Sequence, residues 1–497
     1  MTISFQKVPL TLRTHGVYQE IDPSAANSGG GDNPKTLIVG QKIAAGTAVA
    51  NVPVQCTSLA RATVLGGLGS MLYRQAKKVF ENDPFGEVWL LPLGDAGGGV
   101  QATGTITVTA AATGNGTIRL YVGGQLVEVA VENGDTVGTI ATAIVAAITA
   151  ALDLPVTAAE VGAVVTVTAR NDGTFGNQID LRVNYRDDEE LPSGVALTIV
   201  QMAAGATDPT LTTAIAGLGS DEYDYIVFPY NTDTPLDVLG AYLDDDAGAW
   251  DPMIAAYPLA FTAYEDTVSN LSTHGNGRND PFVSMLGIND VPTWIVEVGA
   301  AYGGACARQL KLDPKRPLQT VEIKGVLAPP RASRFTATER NTLLFDGLAT
   351  QYVGPGDKVM IDRAITTYQL DVGGNADDSF LDVTTPATLR AILRDTKTTI
   401  SGTFPRHKLA SEGFPISPGQ AVVVPSSIKA VLVSRYRVYM QRGWCENIDG
   451  FIENLIVERD TDAGGVDPNR VNVLHPPQLL GGLVVTAIRQ QFRLKAA

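Results

Sequence analysis

The residue pattern predicts a multidomain chain of mixed α/β and α+β class. A discontinuous α/β core carries a β-rich inserted domain and leads into an α+β C-terminal domain, with extended β-arms at both ends. Three observations predict this. Apolar strand-like runs alternate with amphipathic stretches over residues 37–98 and again over 210–384, the signature of a layered α/β sheet. Residues 99–209 switch to short alternating runs joined by glycine turns. At each terminus an alternating segment stands apart behind a glycine-rich tether.

The N-terminal arm, residues 1–22, alternates at Ile3 and Phe5, at Val8, Leu10 and Leu12, and at Val17 and Ile21. A loose linker, residues 23–36, follows and contains Gly29, Gly30 and Gly31. In the first part of the core, residues 37–98, Leu37–Gly40 is expected as a buried strand and Ser58–Glu81 as helix, amphipathic from Ser70 to Phe80. Val88–Leu93 is a second strand, and Gly94-Asp-Ala-Gly-Gly-Gly99 breaks the chain. In the inserted domain, residues 99–209, strands are expected at Thr105–Thr109, Thr117–Val122 and Gln125–Val131. Thr113-Gly-Asn-Gly116 and Gly123-Gly124 supply hairpin turns. Thr136 caps a helix whose apolar stripe is Val137, Ile140, Ala141, Ile144, Val145 and Ile148. Strands at Val164–Ala169, Ile179–Val183 and Val195–Val200 complete the unit, with a turn at Asn171-Asp-Gly173.

The second part of the core, residues 210–384, resumes with a short helix to Gly217 and a buried strand at Tyr225–Pro229. Helices are expected at Pro235–Asp244, Pro252–Ala256 and Pro292–Leu310, and strands at Leu259–Ala263, Phe282–Leu286 and Val321–Leu327. The C-terminal domain, residues 385–480, opens with a helix from Thr385 as N-cap with Pro386 at the first helical position. Ile428–Met440 and Phe451–Glu458 read as strand-like. The C-terminal arm, residues 481–497, places Ile488, Phe492 and Leu494 on one side of an extended segment behind the hinge Gly481-Gly482, with Arg489 and Arg493 on the other. A lone strand of this kind needs a sheet edge, either in its own domain or in another subunit.

Charge is divided unevenly. The 497-residue chain has a formal net charge of −15, with 37 Lys and Arg against 52 Asp and Glu. Residues 385–497 hold 14 of the basic and 9 of the acidic residues, so this end is mildly basic and the remainder strongly acidic. That balance argues against general nucleic-acid binding and for two surfaces that meet different partners. The opening residues lack the charged start and apolar run of a secretion signal, and no run reaches the ~18 apolar residues of a membrane span. Cys56, Cys306 and Cys445 are widely spaced and read as small packed apolar groups.

No spacing points to catalysis or to a cofactor. His15, His274, His407 and His475 are scattered. Gly66-Gly-Leu-Gly-Ser70 lacks the Lys-Ser/Thr ending of a phosphate loop and lies within helical sequence, so it is read as a close helix packing or a kink. Asp460-Thr-Asp opens like a calcium loop, but Gly464 and Val471 stand at the fifth and twelfth places, where that loop needs Asp or Asn and Glu. The notable cluster is on the first helix of the C-terminal domain. Arg390, Arg394 and Lys397 share one face opposite Leu389, Ile392 and Leu393, and Arg406, His407 and Lys408 follow. The cluster is expected to be a solvated helix face or, in the basic part of an acidic chain, a docking surface for an acidic partner.

Taken in order, Pro9–Asp22, Leu37-Ile-Val-Gly-Gln41, Gly66–Ser70, Asn276-Gly-Arg-Asn-Asp280, Phe451–Arg459, Asp467–Val473 and Pro476-Pro-Gln-Leu-Leu480 resemble the contractile tail sheath proteins of Mu-like phages. Thr14 and His15 depart from the usual opening. The resemblance spans nearly the whole chain and implies a mechanical, non-enzymatic subunit without cofactor, located in the virion tail and in host cytoplasm during assembly. Its implied partners are further copies of itself stacked as six-membered rings, the tail tube protein, and baseplate and tail-terminator proteins, with no nucleic acid and no membrane bound by this chain. The implied arm contacts are Ile3, Phe5, Val8, Leu10, Leu12, Val17, Ile21, Ile488, Phe492 and Leu494. The implied hinges are Gly29–Gly31 and Gly481-Gly482, and Arg390, Arg394, Lys397, Arg406 and Lys408 are expected to face the tube. The sheath of a phage-derived particle or secretion device fits the same residues. A carbohydrate-binding tail adhesin is the alternative of another class, although the insertion has few aromatics and no evident carboxylate pair.

Overall fold

A computed structural model describes residues 34–219, 221–415, 417 and 419–492. The N-terminal arm contacts Ile3 to Ile21, the hinge Gly29–Gly31 and Leu494 therefore lie outside the described residues. The chain opens with β1 (Lys35–Gln41) and β2 (Val54–Cys56), then α1 (Leu59–Gly66), α2 (Met71–Asn82) and β3 (Glu87–Leu93). The expected single helix over 58–81 is two helices. Gly67 and Gly69 take φ of 84° and 80°, a left-handed geometry that ends α1, and the Ser70 hydroxyl then accepts the Tyr73 N–H to start α2.

The inserted unit contains β4 (Gln101–Ala110), β5 (Gly116–Val122), β6 (Gln125–Val131), α3 (Val137–Ala150), β7 (Val156–Val161), β8 (Val164–Asp172), β9 (Leu181–Val183) and β10 (Ala196–Ala203). One sheet has the order β10-β4-β8-β7 and a second β6-β5-β9. Thr136 caps α3 through the Thr139 N–H, and Ile140, Ala141, Ile144 and Ile148 are buried. The unforeseen β7 has Ala158, Ala159 and Glu160 between its strand-forming ends Val156-Thr157 and Val161, and it pairs along its full length with β8.

The chain returns as α4 (Thr212–Ala216), β11 (Tyr225–Val227), α5 (Asp233–Leu243), β12 (Leu259–Glu265), α6 (Val268–Asn276), β13 (Val283–Ile288), α7 (Ile295–Leu312), α8 (Ala337–Phe345) and a hairpin of β14 (Thr350–Gly354) and β15 (Lys358–Arg363). Two expectations fail here. Pro252–Ala256 is a turn, and Val321–Leu327 forms no strand. Its Ile323 N–H reaches the Val359 carbonyl at 2.9 Å, but Gly325, at φ 78°, turns the chain away from β15.

The central sheet runs β13-β12-β11-β1-β3-β2, parallel except for β2. Strands before and after the insertion thus share one sheet, in the order of a doubly wound fold with its switch point between β1 and β11. Both faces are covered, which explains the unbroken apolar runs. Ile38, Leu90 and Val227 face a layer with Leu72, Ala76 and Ala300, whereas Leu37, Val39, Leu91 and Leu93 face the larger core. Small residues let α7 sit close: a Cβ on Gly303 would lie 2.9 Å from Val227 Cγ2 and 3.1 Å from Phe261 Cβ.

The insertion closes the carboxyl ends of this sheet. Gln41 Nε2 donates to Asp95 Oδ1 and to the Asp172 carbonyl, both at 2.8 Å. Phe175 meets Tyr230 edge-on at 5.2 Å, and its carbonyl accepts the Trp294 indole N–H at 2.9 Å. The α2 N-terminus, where a phosphate would bind, is occupied too: Asn171 Oδ1 accepts the Met71 N–H at 2.9 Å. The crevice that doubly wound proteins use for ligands is filled by the chain itself.

The C-terminal domain contains α9 (Thr384–Thr403), β16 (Lys408–Leu409), β17 (Val422–Val423), α10 (Pro425–Gln441), α11 (Ile448–Asn454), β18 (Ile456–Arg459) and β19 (Val471–Leu474). It has its own apolar cluster, in which Tyr436 stacks on Phe451 at 3.8 Å. The helix α9 begins after Val383, so Thr385 and Pro386 lie in its first turn and Thr385 is not the cap. The strand-like run Ile428–Met440 is helical. Its Val and Tyr content suggested strand, but Ile428, Leu432, Tyr436 and Tyr439 are buried at helical spacing and Pro425 opens the helix. Phe451–Glu458 is divided between α11 and β18.

Candidate functional site

The C-terminal arm is held at its root and open beyond it. Glu446 N–H donates to the Gln478 carbonyl, and Leu480 N–H to the Trp444 carbonyl, each at 3.0 Å. The Tyr436 hydroxyl accepts the Gln478 N–H at 3.2 Å, and Asn447 Nδ2 donates to Gln478 Oε1 at 2.9 Å. From Gly481 to Phe492 no strand forms, and Ile488 and Phe492 are 83% and 77% exposed. Leu483 and Val485 are exposed as well. Four large apolar side chains thus stand in water along one short segment. Gly481 and Gly482, expected as hinges, stand at its base, directly after the clamp.

Close by in the same domain is a sheet that is equally incomplete. β18 and β19 pair antiparallel from Ile456↔Leu474 to Arg459↔Val471 and form a two-stranded sheet. Val457 and Val471 pack on the domain core, while Ile456 and Leu474 remain exposed. Two strands alone are marginal in water and leave free backbone donors and acceptors along the edges. The loop between them is an internal turn: Asp460 accepts the Asp467 N–H at 3.0 Å and the Asn472 side-chain amide at 2.9 Å, which holds its carboxyl below the usual range.

The basic stripe is where the structure corrects the sequence reading. Arg390 and Arg394, expected to face a partner, are turned inward against the body. Arg390 is 5% exposed; its Nη1 donates to the Asp224 carbonyl at 2.6 Å and its Nη2 to the Tyr225 hydroxyl at 2.7 Å. Its guanidinium lies 4.5 Å from the Tyr225 ring centre. Arg394 Nη1 pairs with Asp224 Oδ1, and its Nη2 donates to the Ala256 carbonyl at 2.6 Å. Asp224 Oδ2 also accepts the Lys35 N–H at 2.7 Å, at the entry to β1. One carboxylate thereby joins the root of the N-terminal segment, the central sheet and α9. Sequence reasoning missed Asp224; the available signal was an acidic residue placed directly before the fully apolar run Tyr225–Phe228. Lys397, Arg406 and Lys408 are exposed.

Comparison with known proteins decides what these surfaces belong to. Residues 204–367 match the phage tail sheath protein central domain, and residues 375–493 the phage tail sheath C-terminal domain. The chain is 36% identical, over 99% of its own length and 100% of the relative's, to the Mu-like prophage FluMu tail sheath protein of Haemophilus influenzae. This chain belongs to the phage tail sheath family. It is a contractile-tail sheath protein of the Mu-like type, a structural component of the virion tail and not an enzyme. Solved structures similar to this sheath protein include the sheath tail protein of Desulfitobacterium hafniense, 12% identical over 95% of this chain and 97% of that one, with a TM-score of 0.49. A chain of the six-fold symmetrised anti-feeding prophage baseplate is 12% identical over 97% and 100%, with a TM-score of 0.48.

Proposed function

We propose that this sheath subunit polymerises as stacked six-membered rings around a tail tube and that its terminal arms knit the rings together. Each arm adds a strand to the C-terminal domain of a neighbour, and contraction drives the tube through the bacterial envelope. The observation that carries this reading is the juxtaposition of a clamped root at Gln478, an exposed apolar arm bearing Ile488 and Phe492, and the unfinished β18–β19 sheet in one domain. Strand addition satisfies both the apolar side chains and the edge backbone groups.

In this reading residues 1–22 and 481–497 are the arms, 37–98 with 210–384 the core, 99–209 an outward insertion and 385–480 the tube-proximal domain. Backbone bonds in the arms move with their partners, and the glycines at Gly29–Gly31 and Gly481-Gly482 absorb the change of angle. Of the expected tube contacts, Lys397, Arg406 and Lys408 retain that role; Arg390 and Arg394 hold the C-terminal domain on its own body. Tube, baseplate and terminator proteins are the remaining partners. Negative-stain microscopy of the purified chain is expected to show wide, hollow, striated tubes. Deletion of residues 1–22 is expected to yield soluble subunits without tubes, and regular tubes from that deletion would remove the N-terminal arm from the mechanism.

A further inference from the structure

We propose that, before assembly, the C-terminal arm is parked on the body of its own subunit, in a groove beside α8. This concerns the free subunit and goes beyond the polymerisation reading. Three observations carry it. First, the base of the arm already enters the groove. Gln319 Nε2 donates to the Leu483 carbonyl at 2.7 Å, and Gly482 lies against Pro317, where a Cβ would come within 3.0 Å of Pro317 Cγ. Val484 is half-buried, and with Val485 it lines a cavity of about 520 Å³ shared with Leu344 and Tyr352.

Second, the groove continues past the point that the arm reaches. Asn341, Leu344 and Arg363 border both this cavity and an adjoining one of about 570 Å³, whose apolar wall includes Phe345, Ile365 and Leu370. Phe345 is 77% exposed and Leu370 43%. Seven residues separate Val485 from Phe492, an extended reach of about 23 Å, so Ile488 and Phe492 can follow the groove into the second cavity. Third, the charges are complementary. The second cavity carries Asp377 and Asp378 beside one cation, Arg363, which Asp382 pairs at 2.9 Å, while the arm contains Arg489, Arg493 and Lys495 and no acidic residue.

The physical consequence is competition for one set of side chains. The apolar residues that must enter a neighbour during assembly are those that the groove covers in the free subunit. Assembly then includes a release step, and premature aggregation through a bare arm is suppressed.

The test uses full-length protein at concentrations where sedimentation shows single subunits. Trypsin cleavage after Arg489 and Arg493 is followed by mass spectrometry in the unaltered chain and in Phe345→Ser and Leu344→Asp. Cleavage is expected about tenfold faster in both variants, because proteolysis tracks the population of the released arm. Phe345 is exposed, so its replacement leaves the fold intact and keeps the test valid even if Leu344→Asp fails to fold. Equal rates in the unaltered chain and Phe345→Ser overturn the proposal. Cleavage of the unaltered chain as fast as a free peptide of residues 483–497 overturns it as well. Neither readout requires tubes to form, so failure of the sheath reading would show separately, in the microscope.

Discussion

At the seam between the body and the C-terminal domain, Asp224 and Arg390 are buried, Arg394 is half-buried, and the three are joined by hydrogen bonds to one another's neighbours and to the central sheet. Beyond Leu480, in contrast, Leu483, Val485, Ile488 and Phe492 stand in solvent on a segment that forms no strand. The seam closes its interactions within one chain, and the arm leaves its own open. Closed polar networks hold two domains as one rigid piece, because leaving any member buried without its partner is costly. In the proposed reading, an open apolar segment keeps its free energy for an intermolecular contact. A subunit that must transmit motion through a lattice needs both properties, and here they occur in the same domain.

The largest expected effect comes from removing the open element. Truncation after Gly482 should abolish tube formation, scored by sedimentation and microscopy. Each large apolar side chain buried in a neighbour contributes ~1.5–3 kcal/mol, multiplied over every subunit. Regular tubes from the truncated chain would break the contrast between seam and arm. Next in size is the closed element. Asp224→Ala removes the carboxylate that Arg394 and the Lys35 N–H share and that lies 3.8 Å from the buried Arg390, and should cost about 3 kcal/mol, read as a lower denaturant midpoint. An unchanged midpoint would mean that the seam is not holding the domains together.

A second internal seam, between the insertion and the body, gives a smaller and pH-dependent effect. The Glu265 carboxyl is pushed up to about 7, first by burial and then by the nearby Asp180 and Asp290 charges, against the pull of its bond from the Val291 N–H and of Arg182. The folded chain therefore binds a proton there that the unfolded chain, with an ordinary value of 4.5, has lost. Its contribution is fully present below 4.5 and declines as pH rises through about 7. At about 1.4 kcal/mol per unit, the loss between pH 5 and pH 8 is up to about 3 kcal/mol. Glu265→Gln should remove that slope. Identical midpoint-versus-pH curves for the two proteins would contradict it.

Much of the fold was legible because its elements obey simple periods. Leu37–Gly40, Val88–Leu93 and the α3 stripe from Ile140 to Ile148 needed no tertiary context. The failures have physical causes. Ile428–Met440 was misread because strand propensity from Val and Tyr was set above the helical spacing of Ile428, Leu432 and Tyr436. The hairpin β14–β15 and the helix α8 are short and mixed in composition, so neither period stands out. Arg390 and Arg394 looked solvated because one face of a helix does not reveal what packs on it; Asp224 lies over 160 residues away in the chain. The expectation of an arm around Ile488 and Phe492 rests on the lack of a neighbour strand in sequence, and the structure forms no strand there.

The smallest expected effect concerns the charges that remain exposed. Lys397, Arg406 and Lys408 are the part of the predicted basic stripe that the seam does not absorb. Each exposed ion pair with an acidic tube contributes only ~0–1 kcal/mol and is screened by salt. The triple substitution Lys397→Glu, Arg406→Glu and Lys408→Glu should therefore leave stability and tube-free polymerisation unchanged. It should slow assembly on purified tail tubes, and most strongly at low ionic strength, because long-range attraction acts on encounter more than on the final contact. Light scattering with and without tubes, over a salt series, separates the two. Equal slowing in both reactions would assign these residues to contacts between sheath subunits. The basic surface would then belong with the proposed arms, among the elements proposed to join copies of this chain.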